Sequence, residues 1–368
     1  MNSVKILHAA DLHMDSPFEA LPGEKAAIRR AEQRRLLGRL AQLANREGVQ
    51  LVLLAGDLLD TGDAYMETAE ELIKALGSID ARVFISPGNH DYFSAKSPYN
   101  KLKWPKNVHI FNNSCVERIE LPDIGAAVYG AGFTDTTCPG LLKDFHAGRN
   151  GDMVNIMCIH GEVNAPVGAY NPITTQEISR SGLDYLALGH VHAESGLQRA
   201  GDTFYAWPGC PEGRGFDETG DKFVYIAQVS EEGCKLRREC VAKRKYEILN
   251  VDMSGGEDII SQIPDNTEND IYRIILTGDT EDAPDMAAIK NRLENRFFAL
   301  QLRDRTSLRR PLWDRAGEDS LRGVFLKKLK TMHDSAATEE QRQLYKSAAL
   351  WGLAALDNRE EPAGHEDK

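Results

Sequence analysis

Five short apolar runs in this 368-residue chain each end in a small cluster of His, Asp or Asn, and that repetition constrains the fold more than any other feature. Residues 4–10 run into Asp11-Leu12-His13, and residues 51–55 into Gly56-Asp57-Leu58-Leu59-Asp60. Residues 83–85 pass through the turn Ser86-Pro87 into Gly88-Asn89-His90-Asp91. Residues 155–159 end at His160-Gly161, and residues 185–188 at Gly189-His190-Val191-His192. Apolar runs this short, bounded by turn residues, read as buried strands. Between the first three lie two stretches of helical spacing, 24–46 (Ile28, Leu36, Leu37, Leu40, Leu43) and 66–76. Strand, helix, strand, helix, strand is the pattern of an α/β sheet. Such sheets present ligands at the carboxyl ends of their strands, which is where all five polar clusters fall.

The ten histidines are unevenly placed. Five of them (13, 90, 160, 190, 192) lie in the clusters, whereas His8, His109, His146, His333 and His365 stand outside and read as structural or surface residues. Imidazole and carboxylate donors together suit Zn, Fe or Mn, and an added amide oxygen leans towards the harder ions. The donors are too many for one tetrahedral site and divide into two sites that share a carboxylate. Two ions roughly 3.5–4 Å apart lower the pKa of a bridging water and hold both oxygens of an in-line phosphoryl displacement. A phosphoester is the fitting substrate. Asp-x-His or Gly-Asp alone would be a common loop end; the weight lies in five clusters, each after a strand.

Residues 108–131 read as short strands, and 203–207 and 223–229 as two more around the turn-rich stretch 208–216. The arginines at 29, 30, 34, 35 and 39 form a basic helix face, read as solvated. After Lys243 the pattern changes to strands at 246–251 and 271–276 and a helix over 286–298, a small α+β unit, followed by helices at 320–332 and 339–356. The expected division is a catalytic domain over 1–240, a cap over 241–310 and a helical partner-binding segment over 311–368.

The net charge of −12, from 44 basic and 56 acidic residues, argues against nonspecific coating of nucleic acid, which rests on many Lys and Arg contacts. It leaves room for a nuclease whose metal ions supply local positive charge. The six cysteines (115, 138, 158, 210, 234, 240) form no C-x-x-C pair and read as reduced structural thiols. The first residues lack signal-peptide shape, and no uncharged apolar run nears the ~20 residues of a membrane span. The expectation is a soluble cytoplasmic protein with no membrane partner.

The five clusters in this order resemble the calcineurin-like metallophosphoesterase family. Three flanking blocks are similar to its SbcD/YhaO-like DNA repair exonuclease branch: residues 8–18, Ala55-Gly56-Asp57-Leu58-Leu59-Asp60, and Pro208-Gly209-Cys210 through Gly215-Phe216-Asp217-Glu218-Thr219-Gly220. The resemblance covers about residues 4–230 and implies a four-layer α-β-β-α sandwich of two facing mixed sheets, with a small α+β cap and C-terminal helices. It implies one ion held by Asp11, His13, Asp57 and His192, and another by Asp57, Asn89, His160 and His190. Mn is the foremost metal, with Fe or Zn as alternatives. His90 would face the phosphate as the catalytic group, and Asp60 would orient it; archaeal and eukaryotic relatives tend to carry a second histidine there. The implied function is metal-dependent hydrolysis of DNA phosphodiesters, as an exonuclease with scope for endonuclease action. The implied partners are DNA, a coiled-coil SMC-like (SbcC-type) ATPase and a second copy of the chain. The terminal helices would contact the ATPase, or simply pack onto the body. The alternatives are a phosphoesterase for small nucleotides or other phosphodiesters, and a metal-stabilised scaffold for the ATPase.

Overall fold

The computed structural model describes residues 2–61, 66–148, 153–165, 168–308, 312–356, 362 and 364–365. Contacts divide the chain into two units, Met1–Lys245 and Tyr246–Lys368.

In the first unit, strand periodicity sorts side chains into layers. One six-stranded sheet has the order Gly233–Glu239, Val224–Ser230, Ser3–Ala9, Leu51–Leu54, Arg82–Ile85, Val108–Ile110. The other runs Gln198–Ala200, Thr203–Ala206, Tyr185–Gly189, Val154–His160, Ala126–Gly130, Glu117–Leu121. In the first sheet the strands from Ser3–Ala9 to Val108–Ile110 run parallel and the two at the other edge pair antiparallel. In the second the four central strands are parallel and each edge strand is antiparallel to its neighbour. Successive residues of a strand face opposite sides. Val4, Ile6, Leu51, Leu53 and Phe84 accordingly meet Val128, Ile156, Cys158, Tyr185 and Ala187 in one core between the sheets. Their alternate neighbours Leu7, Ala9, Val52, Leu54, Val83 and Ile85 pack instead with Leu36, Leu40, Leu72 and Leu76. Those four leucines belong to helices Gly23–Glu47 and Met66–Gly77. On the far side, Met157, Ile159, Leu186 and Leu188 are covered by Ile178 of the short helix Thr175–Arg180 and by Leu142, Leu183 and Trp207. The result is a mixed α/β sandwich of four layers, the last of them thin.

The basic face of Gly23–Glu47 departs from the solvated face expected. Arg29 is 0% exposed, and its Nη1 donates to Glu32 Oε2 (3.0 Å) and Glu212 Oε1 (2.9 Å). Its guanidinium lies 5.1 Å from the Phe18 ring centroid. Glu32 also accepts from Lys243 Nζ and Arg244 Nε, each at 2.9 Å. A charge is tolerated in such a place only with partners, and partners distant in sequence are what helical spacing does not reveal. His8, on an inward-facing position, is likewise a buried crosslink: one ring nitrogen meets Tyr185 Oη at 3.0 Å and the other Leu188 O at 3.1 Å. Burial lowers its pKa to about 3. All six cysteines are free thiols.

The second unit has a three-stranded parallel sheet, Tyr246–Asp252, Ile271–Thr277 and Ala299–Asp304, with helix Met286–Leu293 over it. Val251, Ile274, Leu276, Ile289 and Leu293 form its core. The expected helix over 286–298 gives way to a single 3-10 turn after Leu293, because Phe297 turns back into this core and Ala299 begins a strand. Helices Leu321–Asp334 and Glu339–Leu356 pack through Leu326, Ala349 and Leu353, and leave Leu321, Val324, Leu344 and Trp351 exposed. No helix among the described residues is long and apolar enough to cross a membrane.

Candidate metal centre

The inner-facing ends of the central strands meet at one edge of the sandwich. Asp11 N donates to Gly56 O (3.0 Å) and His13 N to Asp57 O (2.9 Å), so the loops after the first two strands stay paired. Asp11, His13, Asp57 and His190 all have positive φ (53°, 42°, 51° and 94°). Non-glycine residues held this way cost on the order of 1–3 kcal/mol each and gather where the surroundings over-determine them. Side chains here anchor neighbouring backbone: His190 N donates to Asp11 Oδ1 (3.0 Å), and His90 N to Asp57 Oδ1 (3.0 Å). Gly88 is required by proximity, since a Cβ there would stand 2.1 Å from Asp57 Oδ1.

Asp91, the last residue of the Gly-Asn-His-Asp cluster, is a clamp rather than a member of the site. It is buried and accepts from Leu58 N (2.7 Å), Leu59 N (3.1 Å), Gly88 N (2.8 Å) and Tyr99 Oη (2.5 Å). These bonds tie the Asn89 loop to the Asp57 loop.

All seven residues expected to bind metal lie together. Donor atoms of Asp11, His13 and His192 fall within 4.8 Å of one another, as do those of Asp57, His160 and His190. A third group joins His13, Asp57 and His90 at the same limit, so His90 stands at the rim of the cluster. Asp57 Oδ2 lies 3.3 Å from His160 Nε2 and 3.8 Å from His13 Nε2, between the two sets. Asn89 Oδ1 is 3.0 Å from His160 Nε2 and 3.2 Å from His190 Nδ1.

The donor set has the chemistry of a cation site. His160 Nδ1 donates to Ala55 O at 2.9 Å, which leaves the lone pair of a neutral ring on Nε2, facing the oxygens of Asn89 and Asp57. A turned Asn89 amide would relieve its part of that opposition, but the Asp57 carboxylate has no donor to offer, and there only a proton or a cation does so. Burial alone would lower the pKa of His160, yet the Asp57 charge and hydrogen bond outweigh it and raise it to about 9. A field that holds a proton so firmly also favours a divalent ion. Similarly, His13 Nε2 and His192 Nε2 face each other at 3.1 Å. Burial raises Asp11 to about 6 and lowers His13 to about 4. Burial also lowers His190 to about 4, with the nearby His160 charge acting in the same direction. For Asp57 burial acts upward, but the neighbouring histidines hold it well below the usual carboxylate range.

Asp60 differs from expectation in which of its atoms acts. Its backbone carbonyl, 3.0 Å away, takes His90 Nδ1. Its carboxylate lies 3.2 Å from both Arg214 Nη1 and His13 Nδ1, the latter too poorly aligned to satisfy that nitrogen. His90 is exposed, with its ring 4.8 Å from that of His13. Two further residues join the site that the five strand-end clusters do not contain. Glu218 Oε1 is 2.7 Å from His192 Nδ1, and Arg214 Nη2 is 2.7 Å from the same oxygen. Their trace in the sequence is the block Pro208 through Gly220, in which Arg214 and Glu218 lie 7 and 11 residues past the strand read at 203–207, too far along to carry a strand-end signal.

A two-sheet sandwich with clustered His and Asp at its strand ends defines a metal-dependent hydrolase class. The chain belongs to the calcineurin-like phosphoesterase family, whose pattern matches residues 4–194. It is 29% identical over 241 residues to the uncharacterized metallophosphoesterase YhaO of Bacillus subtilis, covering 62% of this chain and 58% of that protein's length. It is 22% identical over 320 residues to SbcD, the nuclease component of SbcCD in the same organism, covering 76% of this chain and 77% of that one. Two solved structures are also similar. TT1561 of Thermus thermophilus is matched at 12% identity over 65% of this chain and 99% of its own, with a TM-score of 0.40. A dimetal phosphatase from Danio rerio is matched at 11% identity over 64% and 99%, with a TM-score of 0.42.

Proposed function

We propose that the chain is a dinuclear phosphodiesterase that cleaves DNA, acting as an exonuclease beside a coiled-coil ATPase of the SbcC type. The observation that carries the catalytic half is the convergence of seven donor residues, Asn89 among them, with Asp57 between two sets. In this reading Asp11, His13, Asp57 and His192 hold one ion, Asp57, Asn89, His160 and His190 the other, and Mn is the preferred metal. Bound divalent ions would activate water and neutralise charge on the phosphoryl oxygens. His90 is placed to work from the rim: its Nδ1 is committed to Asp60 O, so Nε2 is the atom free to meet a phosphate oxygen or give a proton to the leaving group.

The DNA assignment draws on the likeness to SbcD and on the second unit, a substantial addition for an enzyme of small substrates. The ATPase assignment draws on the same relative and on the apolar residues that the terminal helix pair exposes, with Trp351 59% exposed. The net charge of −12 favours the second reading, a phosphodiesterase for small nucleotides. The test is Mn-dependent digestion of end-labelled DNA, run beside an artificial aryl diester and cyclic nucleotides. Wild type should degrade DNA, and Asp57→Asn and His90→Ala should abolish this, with His90→Ala still binding both ions. Intact DNA of every form alongside cleavage of the artificial diester would remove the nuclease reading and leave the small-substrate one. Loss of every activity in the isolated chain, regained only with the ATPase, would favour a partner-dependent centre.

A further inference from the structure

We infer that Arg214 and Glu218 are positioning residues for one half of this centre, setting affinity for the ion held by Asp11, His13, Asp57 and His192 and not for its neighbour. The inference rests on the two-ion reading above. Glu218 is 5% exposed and its carboxylate is saturated. Oε1 accepts from His192 Nδ1 (2.7 Å) and Arg214 Nη2 (2.7 Å), and Oε2 from Arg214 N (2.8 Å) and Nε (3.2 Å). With Nδ1–H committed to a carboxylate, His192 has one tautomer and presents its lone pair on Nε2, the atom that faces His13. Arg214 then reaches across with Nη1 to Asp60 Oδ1 (3.2 Å), the carboxylate behind His13 Nδ1. One guanidinium thus joins the acid that orients His192 to the carboxylate that lies nearest His13 Nδ1.

The stretch carrying this pair is itself fixed from outside. Arg29 Nη1 holds Glu212 and its Nη2 donates to Gly213 O at 3.3 Å, so Arg214 follows two residues pinned to the long helix. The other half of the centre is not in this network: His160 is oriented by Ala55 O, and its own carbonyl accepts from Asn171 Nδ2 at 2.8 Å. Removing a carboxylate behind a metal-bound histidine typically costs about 10–100-fold in affinity. Here the loss should fall on one ion alone.

The test is titration of the metal-free full-length protein with Mn²⁺, followed by calorimetry and by electron paramagnetic resonance. Wild type should take two ions and give a spin-coupled spectrum. Glu218→Ala and Arg214→Ala should keep one ion at wild-type affinity and bind the second about 10–100-fold more weakly. At intermediate Mn²⁺ they should show an isolated-ion spectrum. Glu218→Gln, which keeps an acceptor for His192 but loses the ion pair, should fall between and guards against misfolding of the alanine variants. Asn89→Ala should weaken the opposite ion, so the double variant with Glu218→Ala should lose both. Equal weakening of both ions, or neither, in the Glu218 and Arg214 variants overturns the inference. A wild type that binds fewer than two ions overturns the two-ion reading first, and the inference with it.

Discussion

The two halves of the candidate centre are built from similar donors but are supported in different ways. Behind His13 and His192 stand Asp60, Arg214 and Glu218, charged groups from two stretches of the chain, two of them partly open to water. Behind His160 stand a main-chain carbonyl, a buried asparagine and the edge of Phe133, whose ring centroid lies 5.6 Å away. A charged network can be retuned by one substitution or by ionic conditions, because its energy is electrostatic and its members are long side chains. A backbone-supported site changes only if the fold does. The first half is therefore the adjustable one, and the second is held by the fully buried strand Val154–His160.

The largest expected effect tests whether the halves truly share Asp57. Gly88→Ala would place a Cβ 2.1 Å from Asp57 Oδ1, so the carboxylate or the Asn89 loop must move. Activity should fall on the order of 10³-fold, the scale of losing a main electrostatic contact. Mn titration should show both ions weakened. If the ion that includes Asn89 keeps wild-type affinity while the other weakens, Asp57 is not common to the two halves and they are separate sites.

How far the sequence reveals each half follows the same division. The clusters at 11–13, 57, 88–91, 160 and 190–192 are legible because strand parity is local and each cluster ends its own strand; parity with Ile156 and Cys158 alone turns His160 to the inner side. Glu218 is 26 residues from His192 and Arg214 is 154 from Asp60, contacts that no spacing rule reaches. The role of Asp60 shows a subtler limit. Spacing brings it to His90, but cannot tell that its carbonyl, and not its carboxylate, makes the contact. Arg29 looks like one more arginine on a wet helix face until Glu212 and Glu32 close over it. In the second unit, Phe297 and Phe298 extend an apolar spacing that reads as helix. Packing against Tyr272, whose ring centroid is 4.8 Å from that of Phe297, instead turns the chain into a strand.

A middle-sized effect tests whether the charged support extends outward from the site. Glu32 is buried and ringed by Arg29, Lys243 and Arg244. Burial would raise its pKa, but these hydrogen-bonded cations prevail and lower it from 4.5 to about 2. A carboxylate with a depressed folded-state value binds fewer protons in the folded than in the unfolded chain. Its contribution is complete above about pH 4.5 and is lost as pH falls towards about 2. The difference corresponds to about 3 kcal/mol. In Glu32→Gln, hydrogen exchange in helix Gly23–Glu47 should be faster at neutral pH. The gap to wild type should close as the solution is acidified through that window. An unchanging gap would mean that the cluster acts through packing alone.

The smallest effect sharpens the contrast from the rigid side. Asn171 is fully buried with φ of 52°, and its amide donates to His160 O (2.8 Å) and accepts from Leu141 N (2.7 Å). Asn171→Gly keeps the left-handed backbone and removes both bonds with the side chain, at the further cost of glycine's freedom in the unfolded chain. Orphaning a buried carbonyl and a buried N–H should cost about 2 kcal/mol, read as faster hydrogen exchange in Val154–His160. Mn affinity should change little, because His160 Nδ1 remains on Ala55 O and the ring keeps its tautomer. The contrast with Glu218 is then direct: one substitution lowers stability and spares the ion, while the other lowers affinity and spares the fold. Should Asn171→Gly instead weaken one ion 10-fold or more at unchanged exchange rates, the rigid half would depend on side-chain support as much as its neighbour does.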